Sequence, residues 1–278
     1  MPLQPKPTRL TRAVRVFVTN PKANSGHPAA AHNTFAGYPS SSEMGAWYQI
    51  EVTVDGTPEQ RTGYLATLAE LDASVRLSVI PILQNALFLG QTTVYVPPAA
   101  LLHEMSRAVA DRLTPRLSSL TWNLSPYHTY HWEQTMPSST TLTAVFEFAA
   151  SHRLNDPTRS PAENQAFFGK CNKLNGHGHN YHLEVSIAVS CRESTFGMAE
   201  LEAIVSRTVI DRFDHMNLNI DCPEFHAFNP SVEHIASVCF DLLNSAFCAS
   251  GVELRRVRLW ETSKTSATIE AESATRMG

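Results

Sequence analysis

Three histidines, His152, His177 and His179, are spaced as ligands to a single metal ion. His177 and His179 lie two residues apart, and on an extended chain that spacing puts both imidazoles on one side. The same parity runs on through Leu183, Val185 and Ile187, which marks that side as the buried face. The pair therefore looks inward at the mouth of a sheet. His152 ends an earlier strand in the run Ala150-Ser-His-Arg-Leu, and from an adjacent strand it would complete a facial set. Three neutral imidazoles suit zinc, and an open fourth tetrahedral position is the arrangement of a catalytic site. His182 has the opposite parity and is expected to face away. His27 and His32 lack a His-x-His partner, and His128 and His131 lie near an expected linker; all four read as structural or solvated.

Other reactive side chains surround these histidines in the sequence. Cys171 lies six residues before His177 in a glycine-flanked loop that could fold over the metal. A thiolate beside a dication and imidazoles has a lowered pKa and serves as base or nucleophile; otherwise Cys171 is an inert buried thiol. In Asp214-His215 a carboxylate stands next to an imidazole whose tautomer and basicity it can set, although such pairs are common by chance. Glu261 shares the parity of Val257 and Leu259 and points into the same interior. An inward carboxylate needs a partner. Either a salt bridge at the strand end or a ligand with an amidine-like face would supply it. Lys170, Arg153 and Lys264 are candidates for phosphate or plain surface charges.

The elements that must hold these groups form a pattern that occurs twice. Tyr181-His-Leu-Glu-Val-Ser-Ile alternates as a strand, and Tyr48-Gln-Ile-Glu-Val-Thr-Val has nearly the same residues. Each leads past a glycine, Gly63 or Gly197, to an amphipathic helix: Leu65, Leu68, Leu71 and Val75 in one half, Leu201, Ile204, Val205 and Val209 in the other. A second helix opens at Pro98 in the first half and at Asn229-Pro-Ser in the second. Strands at 14–18 and 145–148 open the halves, and strands at 117–122 and 254–260 close them. Each half is then a β-β-α-α-β unit of an α+β protein. The Ser-, Thr- and Pro-rich stretch 133–141 reads as a linker between residues 1–132 and 142–278. We read this as a tandem duplication.

Composition narrows the partners. With 43% hydrophobic and 17% charged residues the chain is globular, and its net charge of −4 offers no basic surface for nucleic acid. No apolar run is long enough to span a bilayer, and the N-terminus lacks the apolar core of a signal peptide, so a cytoplasmic location is expected. The five cysteines show neither metal-pair spacing nor a disulfide framework; Cys239 and Cys248 read as small core residues of an apolar helix.

Taken together, Ala-Ser-His-Arg-Leu, Phe-Gly-Lys-Cys-Asn, Asn-Gly-His-Gly-His-Asn-Tyr, Asp-His-Met-Asn-Leu-Asn and Trp-Glu-Thr-Ser resemble, in order and spacing, the motifs of the 6-pyruvoyltetrahydropterin synthase family over about residues 142–270. Pro161-Ala-Glu-Asn-Gln-Ala resembles the family's helical insertion. The resemblance implies two tandem T-fold modules, antiparallel sheets with helices on one face, and zinc on His152, His177 and His179. It implies a pterin triphosphate substrate, 7,8-dihydroneopterin triphosphate, losing triphosphate with redox rearrangement of its side chain. Cys171 would abstract the proton, Asp214 and His215 would complete the relay, and Glu261, Thr262 and Glu233 would hold the pterin.

The chain departs from the pattern at Val232, where a hydroxyl is usual, and the segment after Gly197 is about two residues short. In the first half, Met44 and Ala46 fall where the paired histidines would be, residues 79–85 replace the Asp-His stretch, and Leu124 falls near the Glu261 position. That half contains no cysteine and reads as an assembly partner standing in for a neighbouring subunit, so that a homo-oligomer, a trimer of chains, would supply six modules. The alternative activity is that of 6-carboxytetrahydropterin synthase of queuosine biosynthesis, which acts on the same substrate and releases acetaldehyde. The five residues between Cys171 and His177 favour the pyruvoyl type. A third reading is an inactive pterin-binding or scaffold protein with a structural metal.

Overall fold

The computed structural model describes residues 4–22, 44–89, 96–191 and 196–272; His27 and His32 lie outside these. The chain divides into two compact units, residues 1–142 with 189–197, and residues 143–188 with 198–278.

In the first unit the strands β1 (Thr8–Thr19), β2 (Gly45–Gly56), β3 (Arg116–Ser125) and β4 (His128–Glu133) are neighbours in that order and antiparallel. Helices α1 (Leu68–Gln84) and α2 (Pro98–Ala110) pack on one face. Alternation puts Val14, Val16, Val18, Ile50, Val52 and Val54 beneath Leu71, Val75, Val79, Leu102 and Met105, all fully buried. At roughly 1.5–3 kcal/mol for each such side chain, this unit has a complete core of its own. The opposite face carries a polar ladder in which Gln49 and Asn123 donate to Glu51 at 2.9 and 3.2 Å.

The expected first helix began too early. It starts at Leu68 because Thr67 caps it, Oγ1 accepting the Glu70 N–H at 3.1 Å. Leu65 instead lies against the backbone of Gly56. The stretch expected as a linker is mostly structured. Glu133 ends β4, Ser139 starts β5 (Ser139–His152), and the turn between them is tied by Met136 N–H to Glu133 O at 3.1 Å and Ser139 N–H to Met136 O at 3.2 Å. Thr140 and Leu142 are buried, so the polar stretch already obeys strand alternation.

The second unit repeats the element order with insertions. After β5 come α3 (Pro161–Phe168), β6 (His177–Ser190), α4 (Met198–Val205), the single turn α5 (Asp211–Phe213), the short β7 (Met216–Asn217), α6 (Val232–Ala249), β8 (Glu253–Thr262) and β9 (Thr265–Glu270). The sheet order is β5-β6-β8-β9, with β7 running parallel to β5. On α6 the residues Ile235, Cys239, Leu243 and Phe247, four apart, form the buried stripe. Cys239 is in the core as expected, and its burial pushes the thiol pKa up. Cys248 is a correction: one position past Phe247 it is rotated about 100° off the stripe and is exposed.

Candidate metal centre and active site

The sheet carries its chemistry at one end of three strands. Inward positions on β5 are Phe148, Ala150 and His152, on β6 His177, His179 and Tyr181, and on β8 Leu259 and Glu261. Phe148 and Tyr181 stack at 5.1 Å with planes 17° apart. On this aromatic floor stand the imidazoles, His179 at 5.6 Å and His152 at 6.3 Å from the Tyr181 ring. The three imidazole centroids are 4.5, 5.2 and 4.8 Å apart, and one nitrogen from each lies within 4.8 Å of the others. The sequence-derived triad is thus brought together, while His182 is exposed on the other face.

Hydrogen bonding prepares these nitrogens for a cation. His152 is fully buried, and its Nδ1–H donates to the Pro230 carbonyl at 2.6 Å. A carbonyl can only accept, so the tautomer is settled and the Nε2 lone pair faces the centre. That Nε2 is 3.1 Å from His177 Nε2, close to the roughly 3.3 Å expected of two nitrogens about 2.05 Å from one tetrahedral zinc. His179 Nε2 is buried without a hydrogen-bond partner. Leaving such an atom unsatisfied costs about 1–3 kcal/mol. A divalent cation would relieve this cost, and the residues fit one.

His152 and His177 are also held in the neutral, ligand form. Burial pushes the His152 pKa down to about 4, outweighing the Pro230 hydrogen bond, and the neighbouring histidines push the same way. His177 is lowered by burial and then by His179. Neutral imidazole is what a metal requires. The linkage has a definite sign: an unfolded histidine protonates near 6.5, the folded one only near 4. The stability contributed by neutral His152 is whole above pH 6.5 and is lost as pH falls toward 4. At about 1.4 kcal/mol per pH unit this amounts to on the order of 3 kcal/mol. Urea unfolding of metal-free protein should show its midpoint falling across that window, and a midpoint flat from pH 6.5 to 4 contradicts the assignment.

Glu261 points inward, as strand parity predicts, and its side chain reaches the imidazoles. Its carboxylate is 3.5 Å from His152 Nε2 and 3.7 Å from His179 Nε2, beyond hydrogen-bond length but inside the site. The β8–β9 register shifts between Trp260 and Thr262, beside Glu261. No strand-end salt bridge with Lys or Arg forms among the described residues. Thr262 is exposed, its hydroxyl accepting the Lys264 N–H at 3.2 Å. Glu233 is exposed on the first turn of α6, its pKa lowered first by the Ser231 hydroxyl.

Cys171 is clipped to the strand that carries His152. Its carbonyl accepts the Leu154 N–H at 3.0 Å, and Asn172 Nδ2 donates to Leu154 O at 2.8 Å. Arg153 closes the clip, Nε to Asn172 O at 3.0 Å and Nη2 to Asn155 Oδ1 at 3.1 Å, so this candidate phosphate ligand already has a structural task. The pKa of the buried Tyr181 phenol is raised by burial, then by Glu261 and Cys171, which puts both reactive groups in its neighbourhood. Gly176 brings the loop in to His177: with φ of +70°, a Cβ there would meet the His152 carbonyl oxygen at 2.6 Å. Gly176→Ala should cost about 2 kcal/mol or more in thermal unfolding, from left-handed strain and overpacking together. An unchanged midpoint would contradict the close approach.

Asp214 and His215 form a second station. Asp214 Oδ1 accepts the Ala149 N–H at 2.8 Å and Oδ2 contacts His215 Nδ1 at 2.8 Å; the Ala149 bond, then that of His215, lowers the Asp214 pKa. His215 has a φ of 60°, rare for a residue with a side chain. With His179, Gly178 and Met216 it lines a cavity of about 320 Å³ to which Cys171 does not contribute. A larger cavity, about 950 Å³ and bordered by Arg153 and Phe228, is not lined by the three imidazoles. Sequence reasoning missed the Pro230 carbonyl, for which no sequence signal exists. It also missed the Tyr181 hydroxyl, buried without a hydrogen-bond partner, whose inward parity with His179 was available.

Comparison with known proteins places this site. The family model for 6-pyruvoyl tetrahydropterin synthase matches residues 141–272. Human 6-pyruvoyl tetrahydrobiopterin synthase is 36% identical over 118 residues, 41% of this chain and 80% of that protein. The chain belongs to the 6-pyruvoyl tetrahydropterin synthase family. The synthase of the same name from Dictyostelium discoideum is 37% identical over 111 residues, 39% of this chain and 81% of its own. The solved structure of Caenorhabditis elegans 6-pyruvoyl tetrahydropterin synthase is 34% identical with a TM-score of 0.44, covering 48% of this chain and 96% of that one. The family match begins at residue 141, so it covers the unit holding the triad, Cys171, Asp214, His215 and Glu261. The T-fold expected from the motifs is the fold of this family.

Proposed function

We propose that this protein is a zinc-dependent lyase that converts 7,8-dihydroneopterin triphosphate to 6-pyruvoyltetrahydropterin with loss of triphosphate. The observation that carries the reading is the set of three converging imidazoles, one fully buried and tautomer-locked, inside the segment that matches the family. Zinc held by His152, His177 and His179 would supply Lewis acidity to the hydroxyls of the substrate side chain. Cys171, clipped beside His152, takes the proton from the adjacent C–H bond. Asp214 orients His215, which carries protons to and from the other side of the site. Glu261, helped by Thr262 and Glu233, pairs with the aminopyrimidine edge of the pterin through two parallel hydrogen bonds.

Incubation with dihydroneopterin triphosphate, with and without a zinc chelator, followed by mass spectrometry, tests this. Inorganic triphosphate and a pyruvoyl product that disappear with chelation are expected. Acetaldehyde release would make the protein a 6-carboxytetrahydropterin synthase of the queuosine route, and no turnover with metal bound would make it an inactive pterin-binding scaffold.

The first unit has a complete core, yet its nearest counterparts of the histidine pair are Met44 and Ala46. We assign it, as the product of a tandem duplication, the part of a neighbouring subunit, with three chains supplying six modules. The cavity at His215 to which Cys171 does not contribute supports a relay completed by assembly. A stable, active monomer in light scattering would refute this. A cytoplasmic location suits five unpaired cysteines, and no helix among the described residues is long and apolar enough to cross a membrane.

A further inference from the structure

We infer that Asn219 is a positioning residue for His152, its side-chain amide acting as the last rung of the β5–β7 ladder and holding the backbone of the metal ligand in place. The inference rests on the metal centre proposed above.

The parallel ladder pairs Ala150 with Met216 and Ser151 with Asn217, and Leu218 N–H then donates to Ser151 O at 2.8 Å. There the chain leaves the strand direction. Asn217 O accepts from both Ile220 and Asp221, and Asn217 Oδ1 accepts the Asn219 N–H at 3.1 Å, so a turn replaces the strand. The main chain of this segment is no longer available to the next residue of β5. The Asn219 side chain takes over: its Oδ1 accepts the Arg153 N–H at 2.7 Å and its Nδ2 donates to Arg153 O at 2.9 Å. An amide is the side chain that offers both a donor and an acceptor in the geometry of a peptide group.

His152 thereby has a tethered peptide on each side, Ser151 through Leu218 and Arg153 through Asn219. The third constraint is the Pro230 carbonyl on its ring. Gly176 presses on the His152 carbonyl from the side of β6, where the other two ligands lie. Without Asn219 the Arg153 peptide, the one that directly follows the ligand, would lose both of these hydrogen bonds, leaving the tethers at Ser151 and Leu154 on either side of it. A partly freed backbone lets the Nε2 wander from the convergence point. Groups that hold a metal ligand in place without touching the ion typically contribute 10–100-fold to metal affinity.

The test compares zinc affinity, by competition with a chromophoric chelator, with the thermal unfolding midpoint of metal-free protein. Asn219→Leu keeps the volume and removes both hydrogen bonds. Asn164→Leu is the control: Asn164 is more deeply buried than the half-buried Asn219 and donates to the carbonyls of Asp156, Arg159 and Ser160, but touches nothing next to a ligand. Zinc affinity should fall 10–100-fold in Asn219→Leu and stay within about twofold in Asn164→Leu, even where the control loses more thermal stability. The cobalt(II)-loaded Asn219 variant should also show an altered visible spectrum. Equal affinity losses in the two variants, or wild-type affinity and spectrum in Asn219→Leu, would overturn the inference while leaving the metal centre intact. If Asn219→Leu does not fold, Asn219→Asp, which keeps the acceptor and sets oxygen against the Arg153 carbonyl, should lose about tenfold, and wild-type affinity in it overturns the inference. Wild-type protein that binds no zinc removes the metal centre itself and the inference with it.

Discussion

Replacing Cys171 with alanine should leave zinc content unchanged and lower turnover by about 10²–10⁴-fold, the range for removal of a positioned general base. The separation is expected because the loop holding Cys171 depends on main-chain and Asn172 contacts, not on the thiol. The Leu154 N–H donates to the Cys171 carbonyl, and Arg153 reaches the Asn172 carbonyl. An alanine keeps all of these, so the imidazoles stay where they are. Metal analysis and steady-state kinetics on one preparation decide the matter. Undiminished turnover would take the thiol out of the mechanism, and loss of metal would show that it is a ligand.

The second large effect concerns two histidines three residues apart on β6. His179→Ala should lose zinc by more than about 100-fold in affinity, since even removing a group that only orients a ligand costs about 10–100-fold, and activity should go with it. His182→Ala, on the exposed face, should retain both. The metal-free forms should behave differently again. His179 Nε2 is buried with no hydrogen-bond partner, so its removal relieves an unsatisfied group and the apo unfolding midpoint should not fall. Wild type should instead gain its advantage only when zinc is added, in proportion to the logarithm of zinc concentration over the dissociation constant. Equal zinc binding by the two variants would dissolve the triad, and an apo midpoint lowered by several degrees in His179→Ala would mean the imidazole serves the fold.

Much of this was legible from residue order. Two-residue periodicity assigned His177, His179 and Glu261 to the inward face and His182 to the outer one, because adjacent side chains of a strand must point oppositely. Apolar spacing located the helices, and Ser231 and Pro98 marked where α6 and α2 begin. The same reasoning failed where alternation was interrupted or a cap intervened. Thr67 shortened α1, and buried Thr140 and Leu142 turned part of a polar stretch into strand. Cys248 fell one position off the stripe of α6.

What the sequence alone determined, then, was which residues share a face and which chemistry those side chains could perform together. Only the tertiary structure decided how close they come: that Glu261 stands 3.5 Å from His152, that a proline carbonyl locks its tautomer, and that an asparagine side chain completes the ladder beneath it. It also decided that the cavity of about 320 Å³ beside His215 is lined by His179 and not by Cys171. The physical reason is that periodicity follows from local backbone geometry. Distances between strands depend instead on register shifts, turns and main-chain acceptors, contributed by segments far away in the chain whose residue types carry no mark of the partner they meet.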